Sequence, residues 1–424
     1  MKRLCVFLAI AGCFVFCAAC SDVSQSGAVI MGDLSGFAPD DSITVYLDHY
    51  DGPAGRSILT DTLRDGHFYF RLDSLSGEKR YALSLMRIHK DIGAFDMLGH
   101  GPDLYLEPGA LVRIKGEGKY LPIAKVSSPV KDQKLRQRFI SKMSQEDWKR
   151  SQDLFIEYYA LLNDYSYGSD TTRTYKESLK RKMTENMAAT DSVGMLLTEQ
   201  KLEIMETEPF GEYALTELSS IASFVSSGYK DFPKYRETVT RLANRLTEEQ
   251  KQTRQGKEIL SYLQQVTKVS VGDTVPGHEY VDADGGKHYL SELRGKWLLL
   301  DFWSLGCGPC IKAAKELAEL HKETSDRNLL LVSISLDGED GWKEASREHG
   351  IVWTNWRDPL GNSGSVRAYD QGGIPVFVLV NPEGIIEEIQ LGYHDGLLHK
   401  LTGSYVFRTI PVQCSGDTRS LFGC

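Results

Sequence analysis

The sequence predicts a multidomain protein. A small antiparallel β domain comes first, an α-helical region second, and a carboxy-terminal α/β domain, with a central mixed sheet flanked by helices, last. Three observations predict this. At 424 residues the chain is too long for one hydrophobic core. Its character changes near residue 126, where glycine and proline become sparse, and again near 270, where apolar runs alternate with helical stretches. Residues 297–303 (WLLLDFW) form a continuous apolar run holding a single acid, the pattern of a strand buried on both faces. An apolar content of 41% with 25% charged residues belongs to a folded chain. The net charge of −9 leaves no basic surplus to neutralise a phosphate backbone and argues against nucleic acid as a partner.

The amino terminus reads as a secretion signal. Met1-Lys2-Arg3 is basic, and residues 4–19 are uncharged and mostly apolar. That run is shorter than the ~20 residues a spanning helix needs, and small residues close it. Ala18-Ala19-Cys20 resembles the lipobox of bacterial lipoproteins, in which the cysteine after the cut carries lipid. That resemblance implies a signal peptide over 1–19, a lipidated Cys20 and a linker over 20–27. Cys17 stands where the lipobox usually has leucine. Cys13, after Ile10-Ala11-Gly12, is the alternative, but it leaves the apolar Phe14-Val15-Phe16 at the mature end.

Residues 28–125 are the expected β domain. Residues 43–47 (ITVYL), 67–72 (HFYFRL), 81–85 (YALSL) and 111–114 (LVRI) are strand-like, separated by turn signals such as Asp65-Gly66. His49, His67, His89 and His100 share no metal-ligand spacing. Residues 126–268 are the helical region. Leu154, Phe155, Tyr158, Tyr159, Leu161 and Leu162 fall on one helical stripe, as do Leu215, Leu218, Ile221, Ala222 and Val225. Residues 269–403 are the α/β domain. Strands are expected at 297–303, 329–334, 376–380 and 385–391, helices at 309–322 and 340–349, and a hairpin turn at Asn381-Pro382-Glu383-Gly384. Residues 404–424 are a tail.

Of the eight cysteines, four lie in the signal region, two in the tail at Cys414 and Cys424, and two form Cys307-Gly308-Pro309-Cys310, so no disulfide framework is present. The close pair sits where a buried strand meets a helix. Two intervening residues let both sulfurs meet at the first helical turn. The first then stands at the helix N-terminus, where unpaired N–H groups and the dipole stabilise a thiolate; the second is shielded and resolves a mixed disulfide. Pro309 suits the first helical position, where an N–H has no partner. A zinc site would need a second pair of ligands, and none is evident, so no metal and no cofactor beyond the redox disulfide is expected.

From these residues the carboxy-terminal domain resembles the thioredoxin superfamily, in particular its exported TlpA/ResA-like branch. The resemblance rests on Gly295-Lys296 and residues 297–303 leading into the CxxC, on Leu336-Asp337 after the next strand, and on Gly373-Ile374-Pro375 before the one that follows. The β-rich and helical regions look like the extension found on such lipoproteins of Bacteroidetes type. The resemblance implies a thiol–disulfide oxidoreductase with Cys307 and Cys310 as its redox pair. It implies that Asp301 is a buried acid that takes the proton of the resolving thiol, and that Pro375 is a cis-proline facing the disulfide. It also implies that Ile374 offers its backbone to an extended substrate, with Trp303, Gly306, Gly308 and Pro309 at the substrate rim. The chain departs from the family at Gly306, where tryptophan is usual, at Ala313, where ResA-like proteins have glutamate, and at Lys315, where a proline kinks the helix.

The Gly-Pro dipeptide is that of thioredoxin, whose potential is about −270 mV, against about −120 mV for a strong oxidant such as DsbA. The gap of ~150 mV is roughly 7 kcal/mol for two electrons, and the dipeptide therefore favours a reductant. The partners expected are disulfide-containing exported proteins, a membrane thiol electron donor and, through the lipid, the membrane itself; the location expected is the cell envelope. Two rivals remain at the level of sequence. A peroxiredoxin-type thiol peroxidase would need proline at the position of Leu300, with Ser304 as its hydroxyl. An envelope-binding lipoprotein would carry vestigial thiols.

Overall fold

The computed structural model describes residues 26–403 except 39–41, 51–54, 78, 90, 92–93, 325–327 and 370–372. The signal peptide, Cys20 and the tail with Cys414 and Cys424 lie outside the described residues. Two compact units are present. The first runs to Ala188 apart from the segments 48–58 and 142–147, which belong with the residues from Ala189 onward.

Among the described residues of the amino-terminal part are eight strands: β1 (Ala28–Ser35), β2 (Thr44–Tyr50), β3 (Gly55–Thr62), β4 (His67–Leu72), β5 (Lys79–His89), β6 (Ala94–Leu106), β7 (Leu111–Glu117) and β8 (Lys125–Ser127). They form two four-stranded sheets, ordered β4-β1-β7-β8 and β3-β2-β5-β6. The alternation in β4 explains its place, since Phe68 and Phe70 are buried while His67, Tyr69 and Arg71 are exposed. The turn before it places Gly66 at φ +80°, where an added Cβ would stand 2.3 Å from the Leu34 carbonyl oxygen, so only glycine fits. The expected antiparallel domain includes one parallel pairing. β1 runs antiparallel to β4 but parallel to β7. A parallel neighbour needs a long crossover, and here strands β2 to β6 supply it.

Seven helices follow: α1 (Lys131–Ser141), α2 (Gln145–Tyr167), α3 (Arg173–Thr207), α4 (Glu212–Ser227), α5 (Arg236–Asn244), α6 (Glu248–Gln252) and α7 (Arg254–Leu263). The helical region is divided between the two units. In the first, Gln133 of α1 accepts the Tyr105 N–H at 2.8 Å and Arg136 donates to the Pro122 carbonyl at 2.8 Å. The aromatic stripe of α2 packs Phe155 on Tyr159, centroids 4.9 Å apart, and Tyr159 near Phe95 of β6. In the second, the stripe Leu215, Leu218, Ile221, Ala222 and Val225 of α4 is wholly buried.

The carboxy-terminal domain contains β9 (Tyr280–Val281), β10 (Lys287–His288), β11 (Trp297–Trp303), α8 (Gly308–Thr324), β12 (Leu329–Ser335), α9 (Glu339–Glu348), β13 (Thr354–Arg357), β14 (Val376–Val380), β15 (Ile386–Leu391) and α10 (Leu397–Gly403). The sheet order is β10-β9-β13-β12-β11-β14-β15. Strand β11 is parallel to β12 and antiparallel to β14, which makes the sheet mixed. Its side chains alternate between two cores. Leu298, Leu300 and Phe302 pack with Val376, Val378 and Tyr369. Leu299 packs on the other face with Ala313 and Leu317 of α8 and Leu398 and Leu401 of α10. Each fully buried leucine contributes about 1.5–3 kcal/mol. By the same alternation Asp301 and Trp303 point to the α8 side.

One carboxylate joins α8 to α10. Glu316 accepts the N–H groups of Gly396, Leu398 and His399 at 3.2, 3.0 and 3.0 Å, together with the His399 ring at 2.9 Å. It thereby satisfies N–H groups at the start of α10 that have no partner within the helix. Burial opposes the Glu316 charge, but the His399 backbone and ring N–H hold the carboxyl below its usual range. The Glu316 carboxylate in turn holds His399 above its ordinary value. We expect Glu316→Ala to lose about 2 kcal/mol in urea unfolding, and Glu316→Gln to lose less. The carboxylate's share is present above about 4.5 and is lost as pH falls through its lowered value. The histidine's share is full below about 6.5 and is lost as pH rises through its raised one. The loss in Glu316→Ala is therefore largest between these limits; a loss independent of pH would mean that the charges do not contribute.

Candidate active site

Strand β11 ends at Trp303, and the chain turns through residues 304–306 into α8. Asp337, just past β12, fixes that turn. Its carboxylate accepts the Ser304 hydroxyl at 2.8 Å, the Leu305 N–H at 2.7 Å and the Ser335 hydroxyl at 3.1 Å. Cys307 then occupies the N-cap of α8. Its carbonyl accepts the Ile311 N–H at 3.1 Å, and its sulfur accepts the Cys310 N–H at 3.2 Å, where a capping serine would place its oxygen. Negative charge on this sulfur is favoured by the same N–H groups and by the helix dipole.

Cys307 and Cys310 are joined by a disulfide. They differ in access. Cys307 is half-buried between the exposed Gly306 and Gly308, whereas Cys310 is 4% exposed and packs with Trp303, Trp342 and Ala345. Pro309 is exposed and is the second helical residue rather than the first; an N–H at the second position also has no partner within the helix, so its absence costs nothing there either. The Ile374–Pro375 peptide bond is cis, and the Ile374 carbonyl oxygen lies 3.7 Å from the Cys307 sulfur. Pro375 is buried and Ile374 half-buried.

One expected contact is corrected. Trp303 is 3% exposed and lies beneath the disulfide against Cys310, because the alternation of β11 points it at α8. It is a floor for the cysteine pair and no part of a substrate rim. Ser304 likewise spends its hydroxyl on Asp337, and Leu300, at the position where a peroxiredoxin has proline, is wholly buried in the sheet.

Asp301 sits mid-strand between Ser333 of β12 and Phe377 of β14. One carboxyl oxygen accepts the Ser333 hydroxyl at 2.9 Å. The other is buried with no hydrogen-bond partner among the described residues. Ser333 is itself oriented by the Trp353 indole N–H at 2.9 Å. Burial pushes the Asp301 carboxyl up to about 7, against a modest lowering by Ser333. A group so placed gives and takes a proton near neutral pH. Ser333, Trp353 and the clamping role of Asp337 have no counterpart in the sequence reading. Their partners lie 20 to 33 positions away along the chain, and only the motif Leu336-Asp337 hinted at one of them.

A helix N-terminal CxxC disulfide on a mixed sheet, faced by an X–Pro loop, defines a thiol–disulfide oxidoreductase domain of the thioredoxin superfamily. Residues 271–389 match the AhpC/TSA family. The thiol-disulfide oxidoreductase ResA of Bacillus subtilis is 27% identical over 126 residues, 29% of this chain and 69% of that protein. ResA of Bacillus anthracis is 25% identical over 141 residues, 32% of this chain and 80% of that one. Among solved structures, the thioredoxin domain of a thiol-disulfide oxidoreductase from Bacteroides vulgatus is 27% identical, covering 33% of this chain and 99% of its own, with a TM-score of 0.31. A thiol-disulfide oxidoreductase from Bacteroides fragilis is 28% identical, covering 31% and 99%, with a TM-score of 0.29. In sequence, the carboxy-terminal domain is thus similar to the AhpC/TSA family and to ResA.

The burial of Asp301 has a measurable consequence. Its folded pKa of about 7 exceeds the ordinary 3.8, so the folded state keeps a proton that the unfolded chain has released. The stability this provides is full below the ordinary value and is lost as pH rises through about 7. Asp301→Asn has no such dependence. In urea unfolding of the oxidised protein we expect the variant to gain on the native protein by up to roughly 4 kcal/mol between pH 4 and pH 8. Parallel pH profiles would show that the carboxylate is ionised throughout.

Proposed function

We propose that this oxidoreductase reduces disulfides of exported proteins, outside the cytoplasm, while anchored to the membrane by lipid on Cys20. The observation that carries the reading is the asymmetry of the pair: a half-exposed Cys307 sulfur on a helix N-terminus over a buried Cys310. In the reduced enzyme the Cys307 thiolate attacks one sulfur of the client disulfide. A bond forms between Cys307 and that sulfur, and the other client sulfur leaves as a thiolate. The Cys310 thiol then gives its proton to Asp301, and its sulfur attacks Cys307. The second client thiol is released and the enzyme disulfide remains. A membrane dithiol donor restores the reduced pair by the reverse exchange. Gly308-Pro309 favours this direction, while Gly306 in place of the family's tryptophan opens the rim to a polypeptide client. The redox disulfide serves as the only cofactor.

Two measurements test this. The first is the reduction potential of the pair, in a soluble fragment starting after Cys20 and lacking Cys414 and Cys424. A value near −270 mV supports a reductase, and one near −120 mV makes the protein an oxidant or isomerase. A Cys310→Ala trap in cells extends it, because capture of exported clients and a membrane thiol protein is expected, and capture of neither overturns the assignment. The second concerns Asp301. At pH 7 we expect Asp301→Asn to slow decay of the mixed disulfide by about 10²–10⁴-fold, the usual worth of a positioned general base. The native rate should climb with pH to a plateau above about 7. An unchanged rate in the variant would remove Asp301 from the mechanism.

A further inference from the structure

Asp301 is not the only polar side chain sealed inside the carboxy-terminal sheet. Strand β12 alternates as β11 does. Leu331 joins the core on the α8 side, so Ser333, two positions on, shares that face, and it is wholly buried. Its register partner on β11 is Asp301. A buried hydroxyl is costly unless it is hydrogen-bonded. The second partner of Ser333 comes from the other side of β12, where β13 lies. Trp353 stands one residue before β13 and next to the exposed Val352, yet it is buried, in the core that holds Leu299, Leu331 and Phe377.

The two hydrogen bonds have a fixed sense. An indole N–H can only donate, so the Ser333 oxygen accepts from Trp353 at 2.9 Å. The single hydroxyl hydrogen of Ser333 then serves Oδ2 of Asp301, also at 2.9 Å. Oδ1 of Asp301 is buried and has no hydrogen-bond partner among the described residues. Because Oδ2 already receives a hydrogen, a proton taken up by the carboxylate belongs on Oδ1. A donor to a carboxylate favours its charged form, and Ser333 does so here against the larger effect of burial. Strands β11, β12 and β14 hold no other titratable side chain. Helices α8, α9 and α10 carry several, among them Cys310, Glu316, Lys343 and His399, and the His321 ring of α8 lies 5.8 Å from that of Trp353. The causes of the Asp301 shift are nonetheless burial and Ser333, with no contribution from a charged neighbour.

We propose that Trp353 and Ser333 are positioning residues for the thiol–disulfide exchange: a one-way chain of donors, from Trp353 through Ser333 to Oδ2 of Asp301, steadies the carboxylate and leaves Oδ1 to take the proton of the Cys310 thiol. Loss of Ser333 removes the only donor to the carboxylate among the described residues. Loss of the indole N–H acts one step further back. The Ser333 oxygen can then accept a hydrogen from a protonated Asp301, which favours the neutral acid. Trp353 thus works only through Ser333. The proposal rests on the reading of Asp301 as the base of the reaction and extends it to the residues that set its proton affinity.

The test uses the chain beginning after Cys20 with all of its domains. In the oxidised protein the infrared band of the protonated Asp301 carboxyl, identified by its absence in Asp301→Asn, is followed against pH. We expect the native midpoint near 7 to move up by about one pH unit in Ser333→Ala and by about half a unit in Trp353→Phe. The double variant should match Ser333→Ala alone, because the two residues act in series. Decay of the mixed disulfide should follow the same midpoints. At pH 7 it should be about fivefold slower in Ser333→Ala and about twofold slower in Trp353→Phe, and both variants should regain the native rate near pH 9, whereas a merely structural defect would slow decay at every pH. Unfolding curves check that the variants are folded. If Trp353→Phe does not fold, benzothienylalanine at position 353, which keeps the shape of the indole without its N–H, takes its place. An unmoved midpoint in both single variants would overturn the proposal, and slow decay in Asp301→Asn would then leave the base reading standing. A shift in Ser333→Ala alone would remove Trp353, and a double variant shifted by the sum of the single shifts would overturn the serial chain. Shifted midpoints with unchanged decay would sustain the chain and remove the base reading.

Discussion

The carboxyl of Asp301 lies in the middle of the central strand, closed in by β12 and β14, and the site is arranged around the cost of keeping it there. An ionised carboxylate in such a place is expensive; burial raises its pKa to about 7, one hydroxyl is its partner, and its second oxygen has none among the described residues. Strand alternation then does the positioning. Leu299 anchors α8 on the same face, and Trp303, two residues beyond Asp301, forms the floor under Cys310. A single strand thus sets the acid, the floor and the start of the CxxC turn.

The turn itself depends on a different carboxylate. Asp337 gathers the Ser304 hydroxyl and the Leu305 N–H, so the approach to Cys307 is fixed on its buried side while Gly306 and Gly308 remain exposed. Preorganisation of this kind leaves the sulfur as the accessible, cap-like acceptor of a helix N-terminus.

Much of this was legible in the chain. Residues 297–303 announced a buried strand because they are apolar on both faces, and the hairpin from β14 to β15 because its turn residues permit little else. The CxxC could be placed at a helix start from spacing alone. β9, β10 and β13 were not legible. Strands of two to four residues carry too few positions to show a period, and their existence depends on neighbours. The same holds for Ser333 and Trp353, whose roles come from partners remote in sequence. Trp303 was misplaced because an aromatic beside an active site suggests contact with substrate, while strand parity, equally present in the sequence, points it inward. The helical region was recognised as such, but its division between two units follows from which sheet or core each apolar stripe meets.

The parallel pairing of β1 with β7 bears on the order in which the protein can assemble. β1 is the first strand of the described chain, yet its two neighbours, β4 and β7, emerge later, the second of them some 80 positions on. During synthesis from the amino terminus β1 must therefore wait, unpaired on one edge, until β7 has appeared. Non-local pairing of this sort slows folding, and an open edge is a site for adventitious pairing. The first sheet therefore cannot close until β7 has been made, although its first strand is the first of the described strands to appear.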